Sequence, residues 1–139
     1  MAEQRTVDLR RSALFRDLGR RELAQVGRSM GRRRFPAGTT IVVEGEIGTG
    51  FFMVRSGRAQ VVAGGERIRT LWPGDHFGEI ALILETPRTA TVTAVTDVEC
   101  DTLTSWDFRR LVETNADFAW RVMVAMGRRL LTHGQPGDG

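Results

Sequence analysis

Residues 77–92 read FGEIALILETPRTATV. Two charges, Glu79 and Arg88, flank an apolar run, Ile80 to Leu84, and the break at Pro87. The run has the composition of protein interior, where an ionised side chain is costly unless it is paired. If GEIALIL forms a short helix opening near Gly78, the free N–H groups at its start favour an anion, phosphate above all. Pro87 ends that helix, and Arg88 returns at the head of the next strand. There its guanidinium can close on the same anion with paired hydrogen bonds. A glycine at 78 lets a ligand approach the backbone closely. Glu79 would repel phosphate, but it can accept from a neighbouring hydroxyl, as acidic residues do with ribose. Phosphate beside a ribose hydroxyl, held in an apolar β-roll, describes a nucleotide. A single arginine suits a singly charged cyclic phosphodiester better than a triphosphate with Mg²⁺. From residue types alone, a local pairing of Glu79 with Arg88 or with backbone weighs as much.

Outward from this stretch, the chain from Arg34 to about Thr104 is β in character. TTIVVEG, GFFMVRSG, RAQVVAGG, ERIRTLW, TATVTAVT and VECDTLT are short runs rich in Val, Ile, Thr and Phe. Gly, Pro and Asp punctuate them about every ten residues, the spacing of a sandwich or barrel of the jelly-roll kind. Glycines 45, 48, 57, 64, 65 and 74 fall at the breaks, where a turn can need positive φ. Upstream, Leu14, Phe15, Leu18, Leu23, Val26 and Met30 predict helices over about 7–30, with the Gly19–Glu22 stretch a turn entering the second. Downstream, Thr104 with Asp107 three residues later has the pattern of a capping box, and Asn115 or Asp117 can cap a last helix.

The expected architecture is α+β, an antiparallel β-roll of double-stranded jelly-roll type flanked by terminal helices, with a short phosphate-binding helix inserted. One domain fills residues 1–139: helices about 7–30, the roll about 32–104 including 77–92, helices about 105–131, and a disordered tail 132–139. The last helix is apolar nearly all round, with Phe118, Trp120, Val122, Met123, Val124, Met126 and Leu130. Either the rest of the chain covers it or a second copy does. The reading leans to a homodimer through this helix.

Composition narrows the function classes. The 139 residues are 41% hydrophobic and 27% charged, ordinary for a globular domain. The polar start MAEQRTVDLRR is no signal peptide, and no apolar run approaches the roughly 18–20 residues of a membrane span. A cytoplasmic protein without membrane attachment is expected. The lone Cys100 reads as a small buried residue. Two histidines, His76 and His133, are too few for a metal-dependent cupin or a Ser-His-Asp arrangement. Tyrosine, a GxxxxGKS/T loop and a CxxC pair are all missing, so catalysis, metals and cofactors are not expected. All 20 basic residues are arginine, yet the net charge is only +3. Arg32–Arg34 with Arg20, Arg21 and Arg28 could form a basic patch. With no helix-turn-helix after the β-region, a solvated arginine face is the preferred account and DNA binding is not expected.

FGEIALILETPRTATV resembles the phosphate-binding cassette of the cyclic-nucleotide-binding domain family, in which F-G-E, an apolar residue and A-L precede P-R and an A-S/T-V ending. That family includes catabolite-activator proteins, protein kinase A regulatory subunits and cyclic-nucleotide-gated channels. EGEIGTGFFMVRSGRAQVV is similar to the glycine-punctuated strands before the cassette, and LWPGDHFGE to its lead-in. The resemblance spans roughly residues 12–131. It implies a non-enzymatic sensor of cAMP or cGMP, with Arg88 on the exocyclic phosphate oxygens and Glu79 on the ribose 2′-hydroxyl. Gly78, Ile80 and Ala81 would supply backbone contacts, and Val61 would face the base. Thr89 could reach the phosphate or the 2-amino group of a syn guanine, which leaves both bases open. The final helix, 117–131, would be a mobile lid. Thr49 stands where an acidic residue is usual, a departure read as one of turn geometry. No effector segment follows the roll, so an unidentified effector protein or a missing effector domain is expected to carry the output. Two other functions compete: a cassette that binds no nucleotide and acts only through a partner, and arginine-driven nucleic-acid binding.

Overall fold

The computed structural model describes residues 9–133. The expected start of the first helix at 7–8 and the tail from 134 onward lie outside the described residues. Eight strands form two antiparallel four-stranded sheets among them. They are β1 (Gly31–Phe35), β2 (Thr40–Val42), β3 (Gly50–Ser56), β4 (Ala59–Ala63), β5 (Glu66–Leu71), β6 (His76–Phe77), β7 (Thr91–Ala94) and β8 (Val98–Thr104). One sheet runs β1-β8-β3-β6 and the other β2-β7-β4-β5. The helices are α1 (Arg20–Ser29), α2 (Glu79–Leu84), α3 (Ser105–Thr114) and α4 (Ala116–His133).

Strand β3 shows how the sequence builds two cores. Side chains alternate across a strand, so GFFMVRS divides its apolar residues between two faces. Phe52 and Val54 point into the roll with Val61, Leu71, Phe77, Ala90, Val92 and Cys100. Phe51 and Met53 point outward into a second core with Phe15, Leu23, Leu103, Phe108, Phe118 and Val122. The terminal segments are therefore held to the roll by aromatic packing: Phe15 stacks on Phe118 at 5.3 Å and Phe51 on Phe108 at 5.2 Å. Each fully buried Phe contributes about 1.5–3 kcal/mol.

Of the helices expected over about 7–30, the second forms as α1 behind Gly19, while the chain before it is not continuous helix. Residues 10–18 form consecutive tight turns, with Ser12 N donating to Leu9 O, Phe15 N to Ser12 O and Leu18 N to Phe15 O, all at 3.0–3.1 Å. Buried Ser12 accepts from Leu14 N through its hydroxyl at 3.2 Å, a local bond that competes with continued helix. The turns still deliver Leu14, Phe15 and Leu18 to the outer core. At the other end, Thr104 Oγ1 accepts from Asp107 N at 3.1 Å to start α3, and Asn115 Oδ1 accepts from Phe118 N at 3.0 Å to start α4. Helix α4 continues through His133, beyond the expected boundary at 131. Burial pushes the Cys100 thiol up to about 12, with the adjacent Asp101 charge adding to it. No helix among the described residues is long and apolar enough to cross a membrane.

Candidate functional site

Arg88 lies just ahead of β7, and its backbone is tied to the loop before β3. Its N–H donates to Glu46 O at 2.8 Å, its carbonyl accepts from Gly45 N at 2.9 Å, and Ile47 bridges to Pro87. The side chain is 4% exposed. Nη1 donates to Gly78 O at 3.1 Å and Nη2 to Gly50 O at 2.7 Å. The guanidinium carbon lies 6.0 Å from the centre of the Phe52 ring. Among the described residues no carboxylate comes within 4.0 Å of this guanidinium. Burial lowers its pKa while the charge of Glu79 raises it; arginine stays cationic through such shifts.

Glu79 opens α2 and is 1% exposed. The preceding Gly78 has φ 98°, a left-handed conformation in which a Cβ would also press on Arg88 Nη1 and Gly50 O. This is one glycine whose conformational freedom the site requires. The Glu79 carboxylate pairs with Arg129 Nη1 of α4 and lies 3.5 Å from His76 Nε2 of β6. Arg129 Nη2 also donates to His76 O at 3.2 Å. Burial would raise the Glu79 pKa, but His76 and Arg129 outweigh it and hold the carboxyl below its ordinary value of 4.5.

The local pairing of Glu79 with Arg88 is thus not what the chain forms. Arg88 donates to backbone carbonyls, and the Glu79 carboxylate is ion-paired with side chains from β6 and α4. Ile80 and Ala81 are buried, but Ile83 and Leu84 at the end of α2 are 41% and 57% exposed, so the apolar run is only half core. Thr89 Oγ1 is buried with no hydrogen-bond partner among the described residues. Val61 is fully buried in the roll, in the same cluster as Phe77 and Ala90, the neighbours of Gly78 and Thr89. A cavity of about 350 Å³ is lined by Arg88, Gly50, Phe52, Thr49 and Thr102, among others; neither Glu79 nor Val61 is among its lining residues. The structure therefore brings Gly78, Glu79 and Arg88 together, while Val61 lies in the core of the roll.

Sequence reading missed Arg129 and the part played by His76. Arg129 is one of 20 arginines and lies 50 positions from Glu79, so nothing local marks it. His76 was weighed as a metal ligand or catalytic base, and its pairing needs β6 set against α2. Among the described residues no group of three or more His, Cys, Asp or Glu could hold a metal ion. Of the arginines that could form a basic patch, Arg32 lies 3.9 Å from the buried Asp101 and Arg33 covers the Phe35 ring at 5.0 Å.

Comparison with known proteins supplies the context. The family model for the cyclic nucleotide-binding domain matches residues 32–115. A cAMP-dependent protein kinase regulatory subunit from Yarrowia lipolytica is 39% identical over 106 residues, covering 75% of this chain and 28% of that protein. A cGMP-dependent protein kinase from Plasmodium berghei is 38% identical over 81 residues, covering 58% of this chain and 10% of that protein. The chain therefore spans less than a third of the length of either relative. The cAMP co-crystal structure of the regulatory domain of Toxoplasma gondii protein kinase A superposes with a TM-score of 0.70 at 34% identity. It covers 78% of this chain and 43% of that one.

Proposed function

The chain belongs to the cyclic nucleotide-binding domain family, and on that premise we propose that it is a non-enzymatic sensor of a cyclic mononucleotide, cAMP or cGMP. The observation that carries this reading is Arg88, a cation buried to 4% exposure with no carboxylate at its guanidinium among the described residues. A buried charge is costly unless compensated. A guanidinium has more N–H donors than the carbonyls of Gly78 and Gly50 consume. A cyclic phosphate supplies the missing negative charge. Glu79, kept ionised by its surroundings, accepts from the ribose 2′-hydroxyl. Gly78, Ile80 and Ala81 present the backbone around the phosphate, and Val61 meets the base.

Because Glu79 is already held by Arg129, a ribose hydroxyl at Glu79 must share or displace a bond to α4. The two states differ in that contact, which lets ligand shift the population of α4 positions. The buried hydroxyl of Thr89, without a partner among the described residues, suits a donor or acceptor on the ligand and keeps guanine open alongside adenine; relatives named for either nucleotide fit that breadth. The output passes to an effector protein or effector domain in the cytoplasm.

Helix α4 buries Phe118 and Val122 but leaves Trp120, Met123 and Leu130 56–66% exposed. Their spacing places them on one stripe. A second copy of the chain covers that stripe in a two-fold dimer, a state that sedimentation reads directly. For the ligand, titration calorimetry with cAMP and with cGMP is the test. Saturable binding of one or both supports the sensor; no heat and no melting-temperature shift with either overturns it.

A further inference from the structure

Gly48 was placed among the glycines that serve turns, but its backbone has no positive φ. Conformation does not explain the residue; space does. A Cβ at position 48 would lie 2.4 Å from Arg88 Nε and 2.5 Å from Arg88 Cζ. Arg88 is 4% exposed and its guanidinium is fixed at both ends by Gly78 O and Gly50 O. It cannot yield to a methyl group without giving up one of those bonds. The backbone at 48 is equally constrained, because neighbouring Glu46 and Ile47 are tied to Arg88 and Pro87.

We infer that Gly48 is a positioning residue for nucleotide binding: the absent side chain is what allows the Arg88 guanidinium to lie in the orientation that receives the phosphate. The inference rests on the sensor reading above for its ligand, but its structural half stands without one. Gly48 touches no ligand in this account; it acts through Arg88 alone. Gly48 also borders a groove of about 590 Å³ between α2 and α3, lined by Ala81, Leu82, Trp106 and Phe108.

The experiment uses Gly48→Ala, Arg88→Ala and the double variant, each checked by melting temperature and circular dichroism. Two readouts are taken. The first is the Arg88 Nε–H resonance in nucleotide-free protein, assigned by its loss in Arg88→Ala. Gly48→Ala is expected to shift it and speed its exchange with water while the fold persists. An unmoved resonance in a folded Gly48→Ala protein overturns the inference, whether or not nucleotide binds. The second is calorimetry. Gly48→Ala is expected to weaken cyclic-nucleotide binding about tenfold or more, the scale of a charged hydrogen bond displaced. In the Arg88→Ala background the same substitution should cost nothing further, the non-additivity expected of residues acting as a unit. Equal losses in both backgrounds would show that Gly48 acts on the fold at large and overturn its role through Arg88. Wild-type protein that binds neither nucleotide defeats the sensor reading, and the resonance then decides the positioning role alone. Should Gly48→Ala fail to fold, Gly48→Ser with Arg88→Lys separates the two causes. Lysine lacks the planar guanidinium that the Cβ meets, so restored folding supports the inference and continued failure overturns it.

Discussion

Arg88 and Glu79 are nine positions apart and equally buried, yet they are held in opposite ways. Arg88 is gripped by backbone: carbonyls of Gly78 and Gly50, and a loop pinned to its own main chain. Glu79 is gripped by side chains, one of them on the terminal helix. Backbone of a β-roll moves only if the roll does, whereas an arginine on α4 can leave with its helix. One half of the site is therefore set by the fold before any ligand arrives, and the other half is set by where α4 sits. A sensor needs both: a rigid part to recognise and a movable part to report.

That contrast can be broken by substitution. The largest effect is expected for Arg88→Ala, which removes the cation and its hydrogen bonds to the Gly78 and Gly50 carbonyls. Cyclic-nucleotide affinity should fall about a hundredfold or more, the scale of lost charged hydrogen bonds. A loss below tenfold by calorimetry would mean that phosphate is gripped elsewhere. Next comes Glu79→Gln, expected to weaken binding about tenfold while preserving shape. It also breaks the buried pairing of Glu79 with Arg129 and His76, at a cost of about 3 kcal/mol in denaturant unfolding at neutral pH. The sign of its pH dependence follows from the depressed carboxyl. Glu79 stabilises the fold above its ordinary value of 4.5, and that contribution fades as pH falls through its lower folded value. The gap between wild type and Glu79→Gln should thus close in acid; a gap that widens there would contradict the assignment. The smallest effect on binding is expected for Arg129→Met. Cyclic-nucleotide affinity should change less than about tenfold, because the phosphate grip is intact, while amides of α4 exchange roughly tenfold faster in free protein. If Arg129→Met instead lost as much affinity as Arg88→Ala, the division into rigid and movable halves would fall.

Much of this protein was legible one segment at a time. The alternation in GFFMVRS, the turn residues between short β runs, Thr104 ahead of α3 and Asn115 ahead of α4 are local signals, because strand period and helix capping are decided within a few residues. Gly78, Glu79 and Arg88 were legible for the same reason: a break, a short helix and a returning strand place them side by side. The turns at 10–18 were not, since a buried Ser12 hydroxyl there competes with helix.

The sequence by itself determined the roll, the helices that flank it, and the burial of Glu79 and Arg88, though not that of Asp101. Only the tertiary structure decided what those charges meet. Arg129 reaches Glu79 across 50 residues because α4 packs its Phe118 against Phe15 and Phe108 in the outer core, and no periodicity encodes that approach. Gly48 looked like a turn residue until the fold laid Arg88 against it. Chain spacing sets local geometry through bonded dihedrals; which side chain faces which across the core follows from packing, and packing exists only once the whole chain is folded.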